Sequence, residues 1–146
     1  MNYEEIYSLF YTKMTDTNFF AEHTKEEAYE LMCLWLHSVV AMPFVKRCFS
    51  SISLDDEIME INYTLKKAET PEMDAYFVKD IFAQGLKIYW MQKELDKKTS
   101  IAIVMSGKEE KTILNNYKPN KERLEELRLQ LKKAIRDRDY FISGGA

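Results

Sequence analysis

TPEMDAYFVKDIFAQGLKIYWMQKELDK, residues 70–97, decides the fold class. Thr70 is placed to cap a first turn, and Pro71 fits the first helical position, where its missing N–H costs nothing. Glu72 and Asp74 follow at the end where the helix dipole favours negative charge. Val78, Ile81, Phe82, Gly85, Leu86, Tyr89 and Trp90 recur at the spacing of a helix with one buried face. Phe77, Ile88, Met91 and Leu95 widen that face until little of the helix centre is made for water. Such a helix needs neighbours on more than one side.

Upstream, the pattern stays helical. Ile6, Tyr7, Phe10 and Met14 share a face of a short segment that Thr15-Asp16-Thr17-Asn18 breaks. Phe19 and Phe20 then read as an anchor folding back beside the next helix. That helix opens on a capping box, Thr24 with Glu27, and runs through AYELMCLWLHSVVAM until Met42-Pro43 stops or kinks it. Between Leu31 and Met42 only His37 and Ser38 interrupt the apolar character. Residues 50–67 fit two periods. Leu54, Ile58, Ile61 and Leu65 suit a helix; Met59, Ile61, Tyr63 and Leu65 alternate as in a half-buried strand, and the Asn-Tyr-Thr composition favours a short strand over 58–65.

Downstream, Ile101 to Met105 has strand-like composition, Ser106-Gly107 is a turn signal, and Asn115 to Pro119 is a run of breakers. About twenty residues without clear periodicity exceed an ordinary connection, so 98–119 reads as an extended docking arm. Asn120 is placed to cap a last helix with Leu124, Leu127, Leu131, Ala134 and Ile135 on one face. Residues 143–146 read as a flexible tail. The expected architecture is a single mainly α domain over 1–146: a bundle of about four helices, a short strand or hairpin, and a long extended arm.

Composition narrows the class. The 146 residues suffice to bury roughly 70% of the unfolded surface without a metal or disulfide. A net charge of −3 gives no overall attraction for nucleic acid. The acidic, interrupted N-terminus predicts no signal peptide, and no apolar run approaches the ~20 residues of a membrane span. Cys33 and Cys48 read as buried, reduced thiols.

Local constellations point to no enzyme and no cofactor. Cys33 and His37 lie at i, i+4, a spacing that can chelate zinc, with Cys48 and His23 as conceivable further ligands. Neither paired short-spaced cysteines nor an HExxH motif accompanies them, and packing is the commoner role. A Cys48–His37 nucleophile pair lacks any surrounding oxyanion turn. Asp55-Asp56-Glu57 reads as a local charge cluster. Ser106-Gly107-Lys108-Glu109 fails as a phosphate loop, because Ala102 replaces the earlier glycine and Glu109 the hydroxyl residue. Arg123, Arg128, Lys132, Lys133, Arg136 and Arg138 are interleaved with acids, as on a solvated face. The two most apolar helices, by contrast, carry more hydrophobic surface than a monomer comfortably hides, which favours self-association or docking on a partner.

Four segments in order carry a resemblance: YELMCLWLHSVVAMPFVKRCF with SLDDEIMEINYTL, FVKDIFAQGLKIYWMQKEL, GKEEK, and the helix beginning near NKERLEELR. Together they resemble the head–tail connector, or neck adaptor, proteins of tailed bacteriophages. The resemblance implies a structural virion protein that assembles in the host cytoplasm and resides in the virion neck. It implies a homo-oligomeric ring, often of about twelve subunits. The ring would sit between the portal protein and the next neck or tail protein, with DNA passing through it without sequence-specific binding. No catalytic, cofactor or metal residues transfer. The implied contact residues are Leu34 on the second long helix, Ile88 and Met91 on the central one, and Ile101, Ile103, Met105, Lys108, Lys111, Ile113, Leu114 and Tyr117 on the arm. The stretch from Thr112 to Tyr117 departs from the more polar, aromatic-led one expected after GKEEK. The alternatives are another neck or tail structural protein, or a small acidic phage regulator that binds a host protein.

Overall fold

The computed structural model describes the backbone of residues 1–14, 18–104 and 108–144, and the side chains of 1–14, 19, 21–97 and 119–144. The order is α1 (Tyr3–Lys13), α2 (Asn18–Glu22), α3 (Lys25–Ala41), α4 (Pro43–Lys46), β1 (Phe49–Asp55), β2 (Glu60–Leu65), α5 (Pro71–Val104) and α6 (Lys108–Gly144). The chain is thus mainly helical, with one two-stranded antiparallel sheet.

Several boundaries follow the local chemistry. Asn2 and Glu5 form a capping box on α1, and Thr24 and Glu27 form one on α3. Pro43 and Pro71 each occupy the first position of a helix. Residues 49–65 are a hairpin, longer than the strand expected over 58–65. Its register slips between Phe49 and Ser51, after which Ile52 faces Tyr63 and Leu54 faces Ile61.

α5 is the hub. From Phe77 to Leu95 none of its residues is exposed. α1, α3 and α6 pack around it. α6 runs antiparallel to α5, since Arg128 donates to Gln92 at 3.0 Å while Arg138 reaches Asp74 at 2.8 Å. Part of the layer that covers α5 is therefore α6 of the same chain. Arg138 locks the pair's end: it donates to the Lys67 carbonyl at 2.9 Å, lies 4.0 Å from Glu69, and stacks on the Phe77 ring at 4.3 Å. A planar guanidinium can do all of this at once.

Three expectations need correction. The 98–119 stretch is not extended: α5 continues to Val104 and α6 already runs from Lys108, with the Ser106-Gly107 turn signal falling at 105–107, outside the described residues. Asn120 caps nothing, because it lies inside α6 together with Pro119. Proline in a helix interior costs about 3 kcal/mol, but Leu124, Leu131 and Ile135 are buried beyond it, and packing of that face outweighs local propensity. Ser143 and Gly144 belong to α6 rather than to a tail.

Gly85 sets the approach of α3 to α5. A Cβ built there would meet both Val39 methyls at 2.5 Å. Valine is stiff at χ1, so the helices themselves would have to part. Alanine gains about 1 kcal/mol of helix propensity at this position, whereas overpacking costs about 1–3. Gly85→Ala should therefore destabilise the fold on balance, by up to ~2 kcal/mol. Val39→Ala should relieve that clash. In a denaturation double-mutant cycle the pair should be more stable than the sum of the single losses by at least ~0.5 kcal/mol; strict additivity would refute the close approach.

Two phenols, Tyr7 in the core and the half-buried Tyr11, make stability fall at alkaline pH. Burial, with smaller contributions from Cys33 and Tyr11, raises the Tyr7 pKa well above its ordinary value. Burial first, then Tyr29 and Glu4, push Tyr11 up to about 12. Both groups ionise more readily in the unfolded chain. Their contribution is complete below the unfolded value near ~10 and is lost as pH rises toward the folded values. The urea midpoint should drop between pH 9 and about pH 12. A flat midpoint would contradict the assignment.

Candidate functional site

Two places outside the core concentrate function-bearing groups. The first is the end of the helix pair where α5 begins and α6 finishes. A groove of about 370 Å³ is lined there by Glu69, Glu72, Met73, Tyr76, Phe77, Asp80 and Arg138. Met73 and Tyr76 are exposed on one wall, and Tyr140 and Phe141 lie exposed just past Arg138 on α6. The last two fall off the stripe formed by Leu124, Leu131 and Ile135, so the helix that buries those three leaves them outside.

The expected contact residues fare unevenly. Leu34 is 63% exposed on α3 and lines a second groove of about 440 Å³ with His23, Glu27, Glu30, Leu31 and Lys93. Ile88 is 1% exposed, a core residue and not a contact residue, because α5 is enclosed on that flank. Met91 is half-buried against the core. Ile101, Ile103, Lys108, Lys111, Ile113, Leu114 and Tyr117 lie on helical backbone, and their side chains, like Met105 altogether, fall outside the described residues. Sequence reading missed Met73, Tyr76, Tyr140 and Phe141. The one available signal was that the adjacent pair Tyr140-Phe141 breaks the period of the buried stripe.

The basic helix face is partly spoken for. Arg128 and Arg138 bond to α5, and Lys132 sits 5.3 Å over the Phe44 ring.

The second place is the tip of the hairpin. The Asp55 carboxylate accepts from the backbone of Glu57 at 3.1 Å and Ile58 at 3.4 Å, closing a tight turn. Met59 completes it in the left-handed region at φ 55°, a strained setting for a side chain of this size. The N-terminal segment fastens the turn from outside: Tyr3 N–H donates to the Met59 carbonyl at 2.8 Å, and Asn2 bridges Glu60. Asp56 is thereby aimed at α3.

There it gathers two hydrogen-bond partners and a thiol neighbour. The Tyr3 hydroxyl donates to it at 2.6 Å, His37 Nε2 lies 2.9 Å from both carboxylate oxygens, and the Cys33 sulfur lies within 4.8 Å of the imidazole nitrogen and a carboxylate oxygen. The Tyr3 bond, then the His37 bond, hold the Asp56 carboxyl below the usual range. An ionised carboxylate only accepts, so Nε2 carries a proton. Burial first, then Asp56, push the Cys33 thiol up to about 11, which keeps it protonated and poorly nucleophilic at neutral pH.

The other sequence partners are elsewhere. Cys48 donates to the Phe44 carbonyl at 3.5 Å, and burial drives its thiol up to about 11. His23 contacts Lys93 at 2.8 Å and the Phe19 ring. Among the described residues, Cys33, His37 and Asp56 form the one cluster with metal-ligand character. Likewise, no described helix is long and apolar enough to cross a membrane. No protein-family model, curated protein or solved structure matches the chain.

Proposed function

We propose that the protein is a structural virion component of the head–tail connector class, assembling as a ring between portal and tail and extending the DNA channel. The observation that carries this reading is the set of large apolar side chains left exposed where α5 begins and α6 ends. Met73, Tyr76, Tyr140 and Phe141 stay outside a core that is already complete without them. Glu69, Glu72, Asp80 and Arg138 surround the groove beside them. Aromatic centre and charged rim are the anatomy of a protein interface.

A ring built head to tail needs two different surfaces on each subunit. The groove beside Leu31 and Leu34 on α3 supplies the second. The partners are therefore copies of the same chain, with the portal and the next neck protein stacked above and below. Together with the order of the four sequence segments, this favours assembly over a catalytic role.

The test is electron microscopy of the protein alone and mixed with a phage portal protein. Rings or portal-bound collars are expected, and Tyr76→Ser combined with Phe141→Ser should abolish them. Surface changes of this kind cost about 0.5 kcal/mol or less, so the variant stays folded. A stable monomer that ignores the portal and binds a bacterial enzyme tightly would replace this reading with that of a host-directed regulator.

A further inference from the structure

We infer that Cys33, His37 and Asp56 bind one zinc ion, which staples the tip of the β1–β2 hairpin to α3. The site is separate from the apolar surfaces argued above, and its test does not depend on assembly.

The donor set suits the ion. Zinc takes thiolate sulfur, imidazole nitrogen and carboxylate oxygen, and here each comes from a different residue. Cys33 and His37 stand one turn apart on α3, so their side chains leave the same face. The hairpin turn brings Asp56 to that face from 19 residues beyond His37. The three ligand atoms lie within 4.8 Å of one another. Tetrahedral zinc, with bonds of about 2.0–2.3 Å, sets its ligand atoms roughly 3.3–3.8 Å apart. Small side-chain rotations close the difference.

The present hydrogen bonds outline the same arrangement. The imidazole directs its proton at the carboxylate with the thiol beside them, and a divalent cation at the centre takes the place of that proton and of the thiol's. The Cys33 proton leaves to solvent as the S–Zn bond forms. The His37 proton moves from Nε2 to Nδ1, freeing the Nε2 lone pair for the metal. One proton is released per zinc, and thiolate plus carboxylate balance the ion's charge. The raised thiol pKa is no obstacle, because a coordinated cation inverts that preference.

Tyr3 has a positioning role. Its ring is 1% exposed, and its hydroxyl at 2.6 Å orients the carboxylate from behind. The His37 and Asp56 side chains are 46% and 52% exposed, so an ion can enter and water can fill the fourth position.

The full-length protein, stripped with a chelator, should be titrated with zinc chloride and, in parallel, with cobalt(II) as a spectroscopic probe. One equivalent should bind, with release of about one proton. The cobalt form should show a thiolate charge-transfer band together with the strong visible bands of tetrahedral geometry. Cys33→Ser should abolish the charge-transfer band and weaken zinc binding at least ~10-fold, and Asp56→Asn should weaken it similarly. Tyr3→Phe should keep one equivalent at about 10–100-fold lower affinity. Cys48→Ser should change nothing. A cobalt spectrum of the unaltered protein without thiolate character would overturn the site, even if every variant folded poorly. So would equal zinc affinity of the unaltered and Cys33→Ser proteins.

Discussion

Replacing Ile88 with aspartate is expected to unfold the protein at neutral pH, a loss of more than about 4 kcal/mol. Ile88 is 1% exposed on a helix with no exposed position between Phe77 and Leu95. Two costs add. Burial of the isoleucine side chain, worth roughly 1.5–3 kcal/mol, is lost, and a carboxylate enters the hydrophobic core cluster to which Ile88 belongs. A domain of this kind is stable by only about 5–15 kcal/mol, so the change consumes much of the total. Burial raises the new carboxyl's pKa, so its penalty shrinks as pH falls into the acid range. Urea denaturation followed by circular dichroism at pH 7 and near pH 5 reads both effects. Leu34→Asp is the matched control, because that leucine is largely exposed; it should stay within about 0.5 kcal/mol of the unaltered protein. A cooperative Ile88→Asp protein of ordinary stability would mean that this flank of α5 is free for a neighbour after all.

That contrast shows where sequence reading stops. The all-round apolar character of residues 77–95 required several neighbours, and that much is local information. Which chain supplies them is not. Apolar breadth next to a stretch that reads as an extended arm points equally well to a neighbouring subunit, whereas in the fold α6 packs along α5. The β-branched and breaker residues in that stretch are weak local preferences, and pairing with α5 overrides them. β1 was hidden for a different reason. Phe49, Ile52 and Leu54 would alternate cleanly but for the slip between Phe49 and Ser51, which shifts the period by one. Boundaries set by chemistry within one turn, at Thr24, Pro43 and Pro71, were legible because nothing distant competes for them.

The hairpin-tip cluster divides in the same way. The spacing of Cys33 and His37 is visible on a helical wheel. Asp56 and Tyr3 arrive only through the chain reversal at Met59 and the pinning of the N-terminal segment to β2. His23 and Cys48, the residues that sequence could offer as further ligands, are spent on Lys93 and on the Phe44 carbonyl. The exposed aromatics of α5 and α6 were equally silent, since an apolar residue reads as core until its neighbours are known.

Trp90→Ala should cost about 3–5 kcal/mol, the range for truncating a large aromatic in a core. Trp90 is 5% exposed on α5, yet its indole N–H is buried without a hydrogen-bond partner among the described residues. The two facts pull in opposite directions. The ring contributes packing and burial, whereas an unmet donor subtracts about 1–3 kcal/mol. Trp90→Phe separates them, because it keeps most of the aromatic contact and removes the unsatisfied group. It should therefore lose far less than Trp90→Ala, at most about 1–2 kcal/mol. Chemical denaturation of the three proteins measures the series. If phenylalanine proves as damaging as alanine, the indole nitrogen is engaged in solution, and its ring is held in place by that bond rather than by packing alone.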